Sequence, residues 1–248
     1  MWFKEWLNTL KKTGEGVKDN LGFFIISLLV IVVVYLVAYG LEKIIEAKNK
    51  QKVRDARTKT NRLALIAILS SLAFVLMMFE IPLWFAPSFY KIDASEIPIM
   101  IGAFAMGPCA GVAMEGVKII LKVFLKGTGT AFVGDFANFV VGCMYVVPAA
   151  FIYHLKKNKK NAIFGMVVGT LCMSIVGCLL NAYMLIPTFA KLFHMPVEAI
   201  ISMGTAVNKH ITSLATLIFF AVFPFNVIKG IIIMVATTLL YKYVRKVI

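Results

Sequence analysis

Apolar residues in this chain fall in long blocks, at 21–41, 63–78, 97–113, 117–125, 132–155 and 162–187, and an apolar region returns over 211–241. A helix crosses the hydrocarbon of a bilayer with roughly 20 apolar residues, so the blocks predict membrane-spanning helices. The short alternating strands of a membrane β-barrel are not visible. The chain reads as an all-α integral membrane protein.

Proline and short polar breaks divide the blocks, and the placement of basic residues orients them. Eight Lys/Arg fall in 42–62 against three acids, four lysines in "KKNKK" at 156–160, and Lys242, Arg245 and Lys246 follow the last block. These segments hold fifteen of the 26 basic residues, and positive charge beside a span marks its cytoplasmic end. Even crossing numbers must then separate consecutive basic segments. The rule gives four crossings between Arg62 and Lys156, the second running from Ile97 to about Pro108 and turning tightly at "GPCAG", 107–111.

Between Lys160 and Lys242 the same rule allows two crossings, although three apolar runs are present: 162–187, 211–223 and 225–243. The middle run has 13 residues and ends at Pro224, so residues 188–223 are read as a partly helical outer cap. The last span then starts near Pro224, because proline suits the first turn of a helix. Six crossings follow Arg62, with 21–41 as an extra N-terminal helix and the C-terminus inside. Residues 1–20 form a polar segment, 42–61 a basic cytoplasmic linker and 62–248 the six-helix domain. A signal peptide is the alternative for the first block, which lacks a convincing cleavage site.

The composition, 60% hydrophobic with a mean hydropathy of +0.88, agrees with a membrane protein. A net charge of +14 is accounted for by topology, which removes the case for nucleic acid binding. Cys109, Cys143, Cys172 and Cys178 lack CxxC spacing and read as buried thiols, not metal ligands. His154, His194 and His210 are scattered without an HExxH pattern or a neighbouring nucleophile, so the chain does not read as an enzyme.

Polar groups at membrane depth need a partner, a wet cavity or a ligand. They gather at the outer ends: Glu80, Lys91, Asp93 and Glu96 around the first outer loop, "LKGTGT" at 125–130, Asp135, Asn138, Asn181, and Asn226 with Lys229 in "FPFNVIKG". The loop also carries Trp84, Phe85, Phe89 and Tyr90, either an interfacial aromatic belt or a lid over a flat ring. "KGTGT" lacks the order of a phosphate-binding loop and reads as a tight rim loop, with Thr128 and Thr130 as hydroxyl contacts. Asn181 can serve a ligand with imide-like edges or join helices. Glu115 and Lys118 at i,i+3, with Lys122 a turn later, neutralise one another along one face, and no acidic chain continues from them. The small residues Ala64, Ala67 and Ser71 provide a face for close helix approach, to a partner or within the fold.

"PSFYKIDASEIPIMIGAFAMGPCAG", "FLKGTGTAFVGDFANFVVG", "LNAYMLIP" and "PFNVIKG", in that order, closely resemble the riboflavin-specific substrate-binding (S) component of energy-coupling factor (ECF) transporters, from about Arg62 to the C-terminus. The resemblance implies a six-helix S-component fold in the bacterial cytoplasmic membrane, binding riboflavin in its outer half under the first loop. It implies polar ligand contacts at Asn181, Asn226 and Lys229, rim contacts at Thr128 and Thr130, and a docking face at Ala64, Ala67 and Ser71. The implied partners are an ECF transmembrane T subunit and two ATPases; ATP is used there, and the chain needs no cofactor of its own. The helix 21–41, Ser71 in place of alanine, and Phe132 and Asp135 in place of glycine and glutamate depart from the family pattern. An S component for another vitamin or flavin derivative, an intramembrane enzyme and a structural subunit are the competing readings.

Overall fold

The computed structural model describes residues 21–49, 59–87, 90–130 and 132–244. The polar segment 1–20, Phe89 and residues 50–58 of the basic linker lie outside them. Helix α1 is Leu21–Asn49 and α2 is Lys59–Met77. A loop with two short paired strands, β1 (Ile81–Pro82) and β2 (Lys91–Ile92), leads to α3, Glu96–Met106. Then come α4 (Pro108–Lys126), α5 (Val133–Leu155) and α6 (Lys159–Leu180). A π-helical turn over Asn181–Leu185 joins α6 to α7, Ile186–Leu192. Helix α8 is Val197–Thr205 and α9 is Leu214–Leu217, joined by a second π-helical turn, Ile218–Val222, to α10, Phe223–Val244. Five continuous helical rods among the described residues are long and apolar enough to cross a membrane: 22–49, 59–77, 133–155, 159–192 and 214–241.

Helix α5 is the centre of the bundle, packing on α1, α3, α4 and α6. Its Cys143, Tyr145, Val146, Ala149 and Ala150 are wholly buried. Small residues permit this: Gly165 of α6 lies so close to α5 that a Cβ would fall 2.7 Å from the Ala149 carbonyl oxygen, the close backbone approach that holds helices together in lipid. At the α3–α4 junction a single residue, Gly107 with φ 100°, reverses the chain, and Pro108 opens α4. The tight turn read at "GPCAG" is therefore present.

The structure corrects the start of the last span. Ser213 caps α9 reciprocally with Thr216, and the helix then continues unbroken through Pro224 to α10. Pro224 sits inside a 28-residue rod, not in its first turn, and residues 214–223 of the middle run belong to that rod instead of the outer cap. The π-helical turn explains why the proline is tolerated: the ladder has already changed register before the residue that lacks an N–H. The same device recurs in the preceding rod, where the π-helical turn at 181–185 precedes Pro187 and helix continues beyond Asn181 to Leu192. Two long helices still separate Lys160 from Lys242, so the even count stands.

Helix α3 has only 11 residues, about 16 Å at 1.5 Å per residue, half of a bilayer core. The loop supplies the remainder by dipping inward: Ala86, Tyr90, Ile92, Asp93 and Ser95 are buried. Helix α1 runs eight residues beyond position 41, and its last turns are tied to the bundle. Glu42 accepts from the Cys109 backbone N–H at 2.9 Å, at the positive start of α4, and Asn49 donates to the His154 carbonyl at 2.8 Å. A carboxylate at a helix N-terminus satisfies an otherwise orphaned donor.

Candidate functional site

The inward-dipping loop brings polar groups to the inner faces of α4, α6 and α10. Asp93 folds back so that its Oδ1 accepts from the Ser95 N–H at 2.8 Å, leaving Oδ2 for the Lys229 ammonium at 3.2 Å. Lys118 of α4 donates to Glu96 Oε1 at 2.8 Å and to Ser95 Oγ at 3.4 Å, and pairs with Glu115 at 2.7 Å. Lys118 and Glu115 are wholly buried and Glu96 nearly so. A buried charge is tolerable only when paired, and here three carboxylates and two ammonium groups share one cluster. Asp93 is thus held by an ammonium on one oxygen and a backbone N–H on the other.

Beside this cluster lies an amide patch. Tyr90 donates its phenol to Asn181 Oδ1 at 2.6 Å, and Asn181 Nδ2 donates to the Gly177 carbonyl at 2.8 Å. Asn226 Nδ2 donates to the Val222 carbonyl at 2.9 Å. The amide also rests on Gly177, where a Cβ would stand 2.9 Å from Asn226 Nδ2. Phe225 meets the Tyr90 ring at a centroid distance of 5.3 Å. The Tyr90 phenol is buried and acts as a neutral donor. Both side-chain amides use a carbonyl one turn back on their own helix, and both stand beside a π-helical turn. Such turns recur at functional sites because they re-aim side chains.

Asn181, Asn226 and Lys229 are thus brought together, as anticipated, and Tyr90 of the loop closes over them. Trp84 points away and is 88% exposed, so the loop's aromatic residues divide between site and surface. Phe85 is half-buried and packs with the Ala86 and Tyr90 cluster. Thr128 and Thr130 are engaged locally: their hydroxyls accept from the Phe132 and Gly134 backbone N–H groups at 2.9 and 3.1 Å, shaping the turn into α5. Ala64, Ala67 and Ser71 lie on the exposed face of α2, whereas Ser70 and Ala73 face inward.

Two sequence readings need correction. Lys122 does not extend the Glu115–Lys118 pair; it pairs with Asp135 of α5. An acidic chain does continue from that pair, through Glu96 to Asp93, because α3 and the loop fold against α4. Gly177 and Phe225 were not picked out from the sequence. The only available signal for Gly177 was its place one turn before Asn181.

Gly177→Ala is expected to push the Asn226 amide from its seat without removing any polar group. A ligand held by that amide should bind about tenfold more weakly, the cost of one misplaced hydrogen bond. Ligand titration of the purified variant checks this, and unchanged thermal stability would show that the effect is local.

Helices that cross the membrane around a buried amide, ammonium and carboxylate cluster, closed by an inward-dipping loop, define a membrane-embedded binding subunit. Residues 61–241 match the family described as the substrate-specific component of ECF transporters. The chain belongs to that family, whose members are transporter components and not enzymes. It is 32% identical over 184 residues to the riboflavin transporter FmnP of Bacillus subtilis (strain 168), covering 74% of this chain and 91% of that protein. It is 34% identical over 184 residues to the riboflavin transporter RibU of Staphylococcus aureus (strain TCH60), covering 74% and 90%. A solved structure of the S component of a bacterial ECF transporter superposes with a TM-score of 0.60 at 30% identity, covering 76% of this chain and 98% of the other.

Proposed function

We propose that this chain is the riboflavin-binding S component of an ECF transporter. The observation that carries the reading is the convergence of Tyr90, Asn181, Asn226 and Lys229 at one buried patch, in a chain whose relatives are riboflavin transporters. Riboflavin offers a flat apolar tricycle, an imide edge and a polyol tail. Tyr90 and Phe225 supply faces for the ring, and the two amides and the ammonium supply donors and acceptors for the edge and hydroxyls. In the closed arrangement these groups satisfy one another, so ligand entry exchanges one set of hydrogen bonds for another. Entry requires the loop 78–95 to withdraw the Tyr90 phenol from Asn181. Buried groups of this kind discriminate sharply, because an analogue lacking a partner leaves them unsatisfied.

The transport cycle on this reading is driven by ATP hydrolysis in partner subunits, with the exposed small-residue face of α2 at Ala64, Ala67 and Ser71 docking the T subunit. The excess of basic residues flanking the spans supports a cytoplasmic C-terminus. Purification followed by absorbance and mass identification of the retained ligand tests the reading. Retention of a different vitamin would favour the second S-component specificity, and no binding of riboflavin at micromolar concentration would overturn the proposal.

A further inference from the structure

Helix α1 has no place in the matched region 61–241. The 184 matched residues are 91% of the B. subtilis relative, and what remains of that protein is too short for a 29-residue helix. In this chain α1 packs against α4 and α5, and between the three helices lies a crevice of about 410 Å³. That volume is within the range of small-molecule sites, roughly 300–1,000 Å³.

The surface of the crevice is almost wholly apolar, and two polar side chains sit at its border. All three walls deepen away from the end of the bundle that carries the 78–95 loop, an end marked by the approach of Lys126 to Glu80 at 3.8 Å. Near that end two buried side-chain atoms have no hydrogen-bond partner, Ser27 Oγ and Asp135 Oδ2, and both residues line the crevice. Ser27 is 8% and Asp135 3% exposed. An unsatisfied buried polar atom costs free energy unless a partner arrives. Deeper in, the lining is apolar, with Ile31, Ile119 and Phe139, and Gly116 leaves room. Lys126 lies three residues beyond Val123 on the face of α4 that lines the crevice and is half exposed.

The mouth is braced by aromatic pairs across the α1–α5 contact, Phe24 on Phe132 at 5.0 Å and Phe23 on Phe136 at 5.7 Å. Phe132 holds φ 66°, a left-handed conformation that a bulky residue adopts only when its surroundings fix it. The α1 surface beside the crevice exposes Ile25, Ile26 and Leu29, the face that meets lipid tails.

We propose that the crevice is a binding site for one anionic, hydroxyl-bearing membrane lipid. An acyl chain fills the apolar depth; turning of the Ser27 and Asp135 side chains toward the crevice lets the Ser27 hydroxyl donate to an ester carbonyl and Asp135 Oδ2 accept from a head-group hydroxyl, and Lys126 exchanges its 3.8 Å approach to Glu80 for the phosphate. Lys122 already neutralises the other Asp135 oxygen, which lets the phosphate approach. The site is distinct from the Tyr90–Asn181–Lys229 patch, and the proposal does not depend on what that patch binds.

The test is native mass spectrometry of the full-length protein, delipidated in detergent and titrated separately with phosphatidylglycerol and phosphatidylcholine. One phosphatidylglycerol per chain should be retained, with phosphatidylcholine about tenfold weaker for want of the hydroxyl bond. A Cβ at Gly116 meets nothing nearer than a Phe139 ring carbon at 3.9 Å, so Gly116→Leu fills the crevice without a backbone clash. Ile31→Trp fills it from the α1 side. Each should lower retention at least about tenfold, while α1 stays docked through Glu42 and Asn49 and ligand affinity at the other site is unchanged. Unaltered retention in both filled variants, equal retention of the two lipids, or no lipid held by the unsubstituted protein would each overturn the proposal; the last needs no variant to fold.

Discussion

Lys118→Met is expected to destabilise the folded protein by about 3–5 kcal/mol, the cost of breaking a buried ion pair by removing one partner. The ammonium is wholly buried and contacts Glu96, Glu115 and Ser95. Methionine fills nearly the same volume, so the loss is electrostatic and not a cavity. What remains is Glu96 and Glu115 facing each other without a cation between them. A thermal unfolding midpoint in detergent should fall sharply, and Lys118→Met combined with Glu115→Gln should recover part of the loss. The cycle formed by the two single variants and the double measures that coupling directly. Equal midpoints for the single and double variants would mean that Glu115 does not depend on Lys118.

Lys229→Ala is expected to weaken riboflavin binding by about 1–3 kcal/mol, roughly 5- to 150-fold. Two effects contribute: the ligand loses a charged donor, and Asp93 loses its partner at 3.2 Å. The pair Asp93→Asn with Lys229→Met separates them. It removes both charges together, so loop stability should return while ligand affinity stays low. Recovery of affinity along with stability would assign Lys229 a role in holding the loop alone.

The polar residues that gather in the candidate patch were legible in the sequence because they stand out inside long apolar blocks. Asn181, Asn226 and Lys229 were found by that contrast, and the structure places them within one patch. Residues whose role depends on tertiary approach left little trace. Gly177 matters because Asn226 rests on it from another helix, and Glu96 joins Glu115 only because an 11-residue helix folds against α4. Pro224 misled for a related reason. Its preference for a first turn is a local rule, and the π-helical turn at 218–222 satisfied it inside a longer rod. The long helices followed directly from block length and the short α3 from the turn read at 107–111, whereas the loop that makes the other half of its crossing is marked by no periodicity. Helix α1 was visible as an extra span, but nothing in its apolar run showed that Glu42 and Asn49 lock it to the bundle.

The central claim is that Tyr90, Asn181, Asn226 and Lys229 form the seat of a flavin. The most direct measurement is titration of ligand-free protein with riboflavin, followed by flavin fluorescence, for the unsubstituted chain and for Asn226→Ala. Saturable binding of one riboflavin per chain, weakened about 5- to 150-fold by the substitution, is the predicted result. Saturable binding that Asn226→Ala leaves unchanged, or no binding at micromolar riboflavin, would contradict it.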